Sequence, residues 1–510
     1  MIRKATVEGG AIRGIPAADP RVTVFKGVPY AAPPVGNLRW RAPQPVRPWE
    51  GEKVCAEFAP IAMQTTPGLD PNDIYTREWH VDPAIPMSED CLYLNIWTPA
   101  KSPDEKLPVF VWYFGGGLQV GYPPEMEFDG ERIARRGIVV VTVCYRLNIF
   151  GFLAHPQLTA EQPGDPTNFG NLDQQYATRW CKRNIAAFGG DPDNITIGGQ
   201  SAGGGSVCAQ LACPDNEGLF QKAIIDSGFT ATAFAGGPFG TSFEKGMERG
   251  VNFFNFLGIK TLEEARALDA FYIRDKVDEF HAFFATTPDG VFQTAHATGK
   301  LLHGERLHVP LLISRTADEF KSPVPGNNIE EFRAAVREAF GPYADEFLAY
   351  CGDDFEQAKK RGTTSGLEIA ARTLVQRNAD TGITEPVYYA VFNPEMPGWD
   401  NPGTFHSSDL WFWFESLAKC WRPFTGKHYD LARNMCNYWA NFIRSGDPNG
   451  AEFSTYFGAG DIGEKMPEWK PLTVDEPNAM WFGDKPEPRL DVPDEATRLH
   501  TAATIERYRK

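Results

Sequence analysis

Six short apolar runs, almost free of charge, recur along this chain at 107–114, 137–145, 194–198, 223–226, 309–313 and 387–392. They are β-branched or aromatic, and each reads as a strand covered on both faces. Such strands, separated by helical segments, predict the α/β class with a large, mostly parallel central sheet and helices on both faces. Between two of the runs, Leu172, Tyr176, Trp180, Ile185 and Phe188 recur at near-helical spacing, as a crossover helix packed on the sheet requires. Residues 1–60 carry shorter alternating runs, such as Val22-Thr23-Val24-Phe25, broken by Gly and Pro, and predict small N-terminal antiparallel strands. The stretches 230–300 and 325–380 are charged, aromatic and helical in pattern, and read as helical insertions above the sheet. No Gly/Ser-rich or Pro-rich linker divides the chain and no repeat is visible, so residues 1–510 read as one domain.

Composition narrows what such a domain can do. A chain of 510 residues that is 42% hydrophobic can bury a sizeable core. Its formal net charge of -16 makes nucleic acid and anionic membrane surfaces poor partners, and favours chemistry on a small soluble substrate. The opening Met1-Ile2-Arg3-Lys4-Ala5-Thr6-Val7 has basic residues with no apolar stretch behind them. Nine cysteines, an odd number without C-x-x-C spacing, match neither a disulfide framework nor a zinc site. A cytoplasmic location is therefore expected; secretion would require a signal removed beforehand. The chain shows no integral membrane segment, no H-E-x-x-H, no P-loop and no G-x-G-x-x-G after a strand, so neither metal nor organic cofactor is expected.

The densest chemical signal is Gly199-Gln200-Ser201-Ala202-Gly203, set between the run Asn194-Ile195-Thr196-Ile197 and a small-residue helix start. It reads as a strand, a sharp turn and a helix with a serine at the apex, the flanking glycines being needed where strand and helix pass too closely for side chains. Upstream, Phe114-Gly115-Gly116-Gly117 leaves the strand 109–112, and consecutive glycines let backbone N–H groups turn toward a ligand. Downstream, the run beginning at Val309 ends in the adjacent carboxylates Asp318 and Glu319, within reach of a site above the sheet. A serine hydrolase also needs a base, and nine histidines are available.

The chain resembles the type-B carboxylesterases, which include cholinesterases, liver-type carboxylesterases and some fungal lipases. The resemblance rests on Phe25-Lys26-Gly27-Val28-Pro29-Tyr30-Ala31, on Ser88-Glu89-Asp90-Cys91-Leu92-Tyr93-Leu94-Asn95-Ile96 and on Phe188-Gly189-Gly190-Asp191-Pro192 ahead of the serine. Gly218-Leu219-Phe220, Ser227-Gly228 and Ser445-Gly446-Asp447-Pro448-Asn449-Gly450 continue it toward the C-terminus. It implies an α/β-hydrolase fold and a serine carboxylic-ester hydrolase that works through an acyl-enzyme. The implied triad is Ser201, Glu319 and His406, the last lying in Gly403-Thr404-Phe405-His406-Ser407-Ser408-Asp409-Leu410; the implied oxyanion donors are the N–H groups of Gly116, Gly117 and Ala202. His155, His296, His303, His308 and His428 have no such match, and Asp318 is expected to cap its own turn.

Several positions depart from the family pattern. Gln200 stands where most relatives have Glu, Phe114 where His or Tyr is common, and Phe320 where Gly often follows the acid. The loss of a polar group at Phe114 leaves packing to hold the oxyanion loop. Ala62 replaces the cysteine that secreted relatives pair with the counterpart of Cys91, so Cys91 is expected to be a free buried thiol; pairing with Cys55, an alternative, would require the segment between them to be re-registered. Val81 occupies the position of the cation-binding Trp of cholinesterases, with Trp79 two positions away, which disfavours choline esters. Trp411-Phe412-Trp413-Phe414, close after His406, reads as core and gorge-wall packing ahead of substrate contact. The segment 63–90, broken by prolines, reads as an irregular rim or lid. The expected substrates are uncharged short- to medium-chain esters; a lipase, a hydroxycinnamoyl esterase and a non-enzymatic adhesion or scaffold protein are the alternatives.

Overall fold

The computed structural model describes residues 1–234, 241–449 and 465–509; Gly450 and part of the first insertion, 235–240, lie outside them. A small three-stranded sheet is built from β1 (Lys4–Val7), β2 (Gly10–Arg13) and β5 (Glu52–Val54). The central sheet takes β3 (Ile15–Pro16), β4 (Thr23–Pro29), β6 (Tyr93–Thr98), β7 (Leu107–Tyr113), β8 (Val139–Val143), β9 (Gly190–Gln200) and β10 (Lys222–Asp226). It is completed by β11 (Leu311–Thr316), β12 (Val387–Phe392), β13 (Asn478–Phe482) and β14 (Pro486–Leu490). These eleven strands lie in the order β14-β13-β12-β11-β10-β9-β7-β8-β6-β4-β3. The run from β8 through β13 is parallel, while β3, β4, β6 and β14 join antiparallel at the two edges. This is the mostly parallel sheet that the sequence pattern predicts, in the α/β-hydrolase arrangement that the family resemblance implies.

The apolar runs become strands because both faces are covered: Val109 to Tyr113 and Val139 to Val141 are inaccessible to solvent. On one side the helix Phe169–Asn184 buries Leu172, Ala177, Trp180 and Cys181. On another, the helix Gly426–Ser445 brings Trp439 against Trp112 and Phe110. Trp413 stacks on Trp439 with centroids 4.8 Å apart, and Trp411, Phe412, Trp413 and Phe414 are all buried, so this quartet is core packing.

The insertions carry helices, Phe243–Leu257, Leu262–Ala267, Ala270–Phe280 and Ala297–His303 in the first, with the irregular stretch 281–296 among them, and Ile329–Phe340, Ala344–Cys351, Phe355–Gly362 and Gly366–Thr381 in the second. Within the segment 63–90 a short helix, Ile74–Glu78, interrupts the expected irregular loop; Asp73 caps it by accepting from the Thr76 N–H at 2.8 Å. All nine cysteines are unpaired, and Cys91 is a buried free thiol beside Cys144. Among the described residues no helix is long and apolar enough to cross a membrane.

Candidate active site

The parallel order delivers four strand ends, those of β7, β9, β10 and β11, to one edge of the sheet. At the end of β9, Ser201 takes φ 55° and ψ -124°, a conformation that L residues rarely adopt. Close packing enforces the bend. A Cβ on Gly199 would meet the Gly203 backbone at 2.4 Å, and one on Gly203 would meet the Tyr113 carbonyl at 2.1 Å. The Ser201 N–H donates to the Asp226 carbonyl at 2.8 Å and its carbonyl accepts from Gly205, so both sides of the turn are anchored. Among the described residues its hydroxyl makes no hydrogen bond.

The loop after β7 faces this hydroxyl. A Cβ on Gly115 would lie 3.1 Å from the Ser201 Cβ, and Gly116, at φ 102°, would place one 2.1 Å from the Val120 carbonyl. The N–H groups of Gly116 and Gly117 donate to no protein group among the described residues, and Ala202 opens the helix Ala202–Leu211, where N–H groups lack intrahelical partners. Packing is not all that holds this loop. The Phe114 ring stacks on Tyr145 at 4.3 Å, and the Tyr145 hydroxyl donates to the Phe114 carbonyl at 2.5 Å, supplying the polar anchor thought lost. Gln64 adds two bonds, donating to the Gly121 carbonyl at 3.0 Å and accepting from its N–H at 2.8 Å.

Glu319 and His406 meet from two loops. His406 Nδ1 lies 2.8 Å and 3.0 Å from the two oxygens of Glu319, so Nδ1 carries the proton and Nε2 faces the elbow. There the Gln200 amide nitrogen lies 3.3 Å from Nε2 and donates to Ser407 Oγ at 2.7 Å. Burial pushes the Glu319 carboxyl up, but the charge and hydrogen bond of His406, the Ser227 hydroxyl and the Phe320 N–H together hold it below its ordinary value. Asp318 does not cap its own turn. Its Oδ2 accepts from the Thr404 N–H at 2.9 Å and from Thr404 Oγ1 at 3.0 Å, clipping the acid loop to the histidine loop across Gly403, where a Cβ would sit 2.6 Å from that oxygen. A chain-local turn rule misses this because the partner lies 86 residues on.

Behind Glu319 lies a carboxyl pair that reading the sequence did not single out. Burial and repulsion from Asp409 push Asp226 well above its usual range, while burial and the charge of Glu319 push Asp409 up to about 6 against the lowering effect of its contact with Asp226; Ser314 donates to Asp226 Oδ1 and Trp413 to Asp409 Oδ2. The available signal was an ionisable residue at the end of an otherwise apolar strand. His155, His303, His308 and His428 form hydrogen bonds or ring contacts elsewhere in the fold.

Comparison with known proteins follows the same lines. The sequence profile described as the carboxylesterase family matches residues 2–501. A para-nitrobenzyl esterase of Bacillus subtilis (strain 168) is 31% identical over 465 residues, 87% of this chain and 90% of that protein. A fumonisin B1 esterase of Sphingopyxis macrogoltabida is 35% identical over 348 residues, 66% of this chain and 61% of that protein. Among solved structures, a PNB esterase superposes with a TM-score of 0.78 at 28% identity, over 98% of this chain and all of the other. A Geobacillus stearothermophilus carboxylesterase does so with a TM-score of 0.74 at 28% identity and the same coverage.

Proposed function

The chain belongs to the carboxylesterase family and is a carboxylic-ester hydrolase; we propose that Ser201, His406 and Glu319 carry out its chemistry on uncharged short- to medium-chain esters. The carrying observation is the Glu319–His406 pair, 2.8 Å apart, whose second ring nitrogen lies 3.3 Å from the Gln200 amide, in the elbow that bears a strained serine with no hydrogen bond on its hydroxyl among the described residues. His406 takes the hydroxyl proton as Ser201 attacks the ester carbonyl, and Gln200 yields its place at Nε2 to the serine for that step. The N–H groups of Gly116, Gly117 and Ala202 receive the charge that develops on the carbonyl oxygen. Glu319 keeps the imidazole in the right tautomer and stabilises its cationic form. The alcohol leaves with the proton from His406, and water then releases the acid from the acyl-enzyme by the same route.

The substrate range is supported by the rim. Phe320 and Phe283 present apolar surface beside His406 and Gly117, which favours uncharged groups. The segment 63–90 is tied down by Gln64 on Gly121, by the Asn148 amide on the Met63 carbonyl at 2.8 Å, and by the buried Glu78–Arg422 ion pair. A rim so fixed supports soluble esters over emulsified lipid, as does the name para-nitrobenzyl esterase of one relative. Ser201→Ala is expected to abolish both butyrate-ester turnover and labelling by a fluorophosphonate while leaving the melting temperature unchanged. Persistent labelling would move the nucleophile elsewhere.

A further inference from the structure

Phe320 combines two properties: it is 68% exposed, and its ring packs on the imidazole of the proposed base. Its ring centroid lies 4.6 Å from that of His406, with the planes inclined by 38°. The backbone fixes it there, because the Phe320 N–H donates at 3.1 Å to the Glu319 oxygen that also lies 2.8 Å from His406 Nδ1. One part of the ring is spent on the imidazole. The rest faces open space, although burying an aromatic ring is favourable and a large apolar side chain gains nothing by being left in water.

The position of this surface in the reaction follows from the proton's path. His406 gives its proton to the departing alcohol oxygen, so the alcohol portion of an ester must lie on the histidine side, while the acyl portion stays on Ser201. Phe320 packs on the imidazole that protonates the alcohol, so of the two portions of the ester the alcohol is the one brought toward its free surface. We propose that Phe320 sets the leaving-group preference of this enzyme, its free surface stacking on a planar aromatic alcohol such as a benzylic one. This rests on the triad reading above. An offset or edge contact between two rings is worth a few-fold to tenfold in rate if it is present in the transition state.

The test is a pair of butanoate esters matched in size, benzyl and cyclohexylmethyl, measured as kcat/KM on the native enzyme and on Phe320→Leu, Phe320→Ala and Phe320→Tyr. The high exposure of the position makes all three variants compatible with the fold. The ratio of benzyl to cyclohexylmethyl is expected to fall about threefold to tenfold in Phe320→Leu and Phe320→Ala and to survive in Phe320→Tyr. A second pair, the ethyl esters of phenylacetic and cyclohexylacetic acid, puts the ring on the acyl side and is expected to keep its ratio in every variant. An unchanged alcohol ratio overturns the proposal. So does a change confined to the acyl ratio, and so does an equal loss on all four esters, which would make Phe320 a support for His406 without selectivity. Failure of the native enzyme to turn over any ester would strike the triad reading itself, and is thereby distinguishable.

Discussion

Two buried glutamates in this molecule each sit about one hydrogen bond from a histidine, and they settle in opposite states. Glu319 lies 2.8 Å from His406 and is held below its ordinary value; Glu125 lies 3.0 Å from His80, on the segment 63–90, and is pushed up to about 7. Burial raises both. The difference is what else each carboxylate meets. Glu319 gains the charge and hydrogen bond of His406, the Ser227 hydroxyl and the Phe320 N–H, whereas burial lowers His80 and so deprives Glu125 of a cationic partner. Glu127, buried beside Glu125, is driven well above its range by burial and by repulsion from it. Below about pH 7 the short His80–Glu125 contact is thus a hydrogen bond to a protonated carboxyl, in spite of ion-pair distance. A histidine beside a glutamate makes a working acid–base pair only where the surroundings favour charge.

The sharpest way to break that comparison is to neutralise the ionised member. Glu319→Gln is expected to lower kcat on a butyrate ester by about 10³ to 10⁴, because an amide facing Nδ1 destabilises both the required tautomer and the imidazolium. Asp318→Asn keeps an oxygen for Thr404 and is expected to cost less than about tenfold. Steady-state kinetics on the two variants decide between the adjacent carboxylates, and a larger loss in Asp318→Asn would reverse the assignment.

How far the sequence foretells this contrast depends on how local the causes are. The parallel strands, the elbow and the glycines around it were legible, since charge-free runs and G-x-S-x-G act within a few residues. Of the acid and the base, position along the chain offered two carboxylates and nine histidines, and only the family resemblance chose Glu319 and His406. The Tyr145 hydroxyl under the oxyanion loop, the Asp318–Thr404 clip and the Glu125–Glu127 pair were not legible. Each joins side chains whose burial and proximity arise only when distant segments, or both sides of a turn, are packed together. Gln200 and Phe320 were visible as departures, but their contacts with His406 were not.

Gln200 offers an intermediate test, because it lets charge be added to the ionised site without touching the triad. Gln200→Glu places a carboxylate where an amide now lies 3.3 Å from His406 Nε2. A negative charge at that distance favours the cationic imidazole, which cannot accept the serine proton, so the acid limb of the kcat/KM profile is expected to move upward by on the order of one pH unit. The loss is then larger at pH 6 than at pH 8. A rate loss independent of pH would instead mark Gln200 as a purely steric support.

The smallest effect is expected at the uncharged member, and it is read in stability. Glu125 has an ordinary value of 4.5 and titrates at about 7 when folded. The folded state therefore holds a proton that the unfolded state has already lost, and the resulting stability is fully present below about pH 4.5 and gone once pH has risen through about 7. Glu125→Gln retains an oxygen for the Tyr122 N–H and for His80 Nε2, both now 3.0 Å away, and removes the titration. Its melting temperature is expected to equal that of the native protein at pH 5 and to exceed it by roughly 2 °C at pH 8. Because repulsion from Glu125 is part of what raises Glu127, the difference between the two melting curves reports the Glu125–Glu127 pair, with Glu125 the member removed. If the variant is instead less stable at pH 8, Glu125 is ionised and paired in the folded state, and the two glutamate–histidine pairs are alike after all.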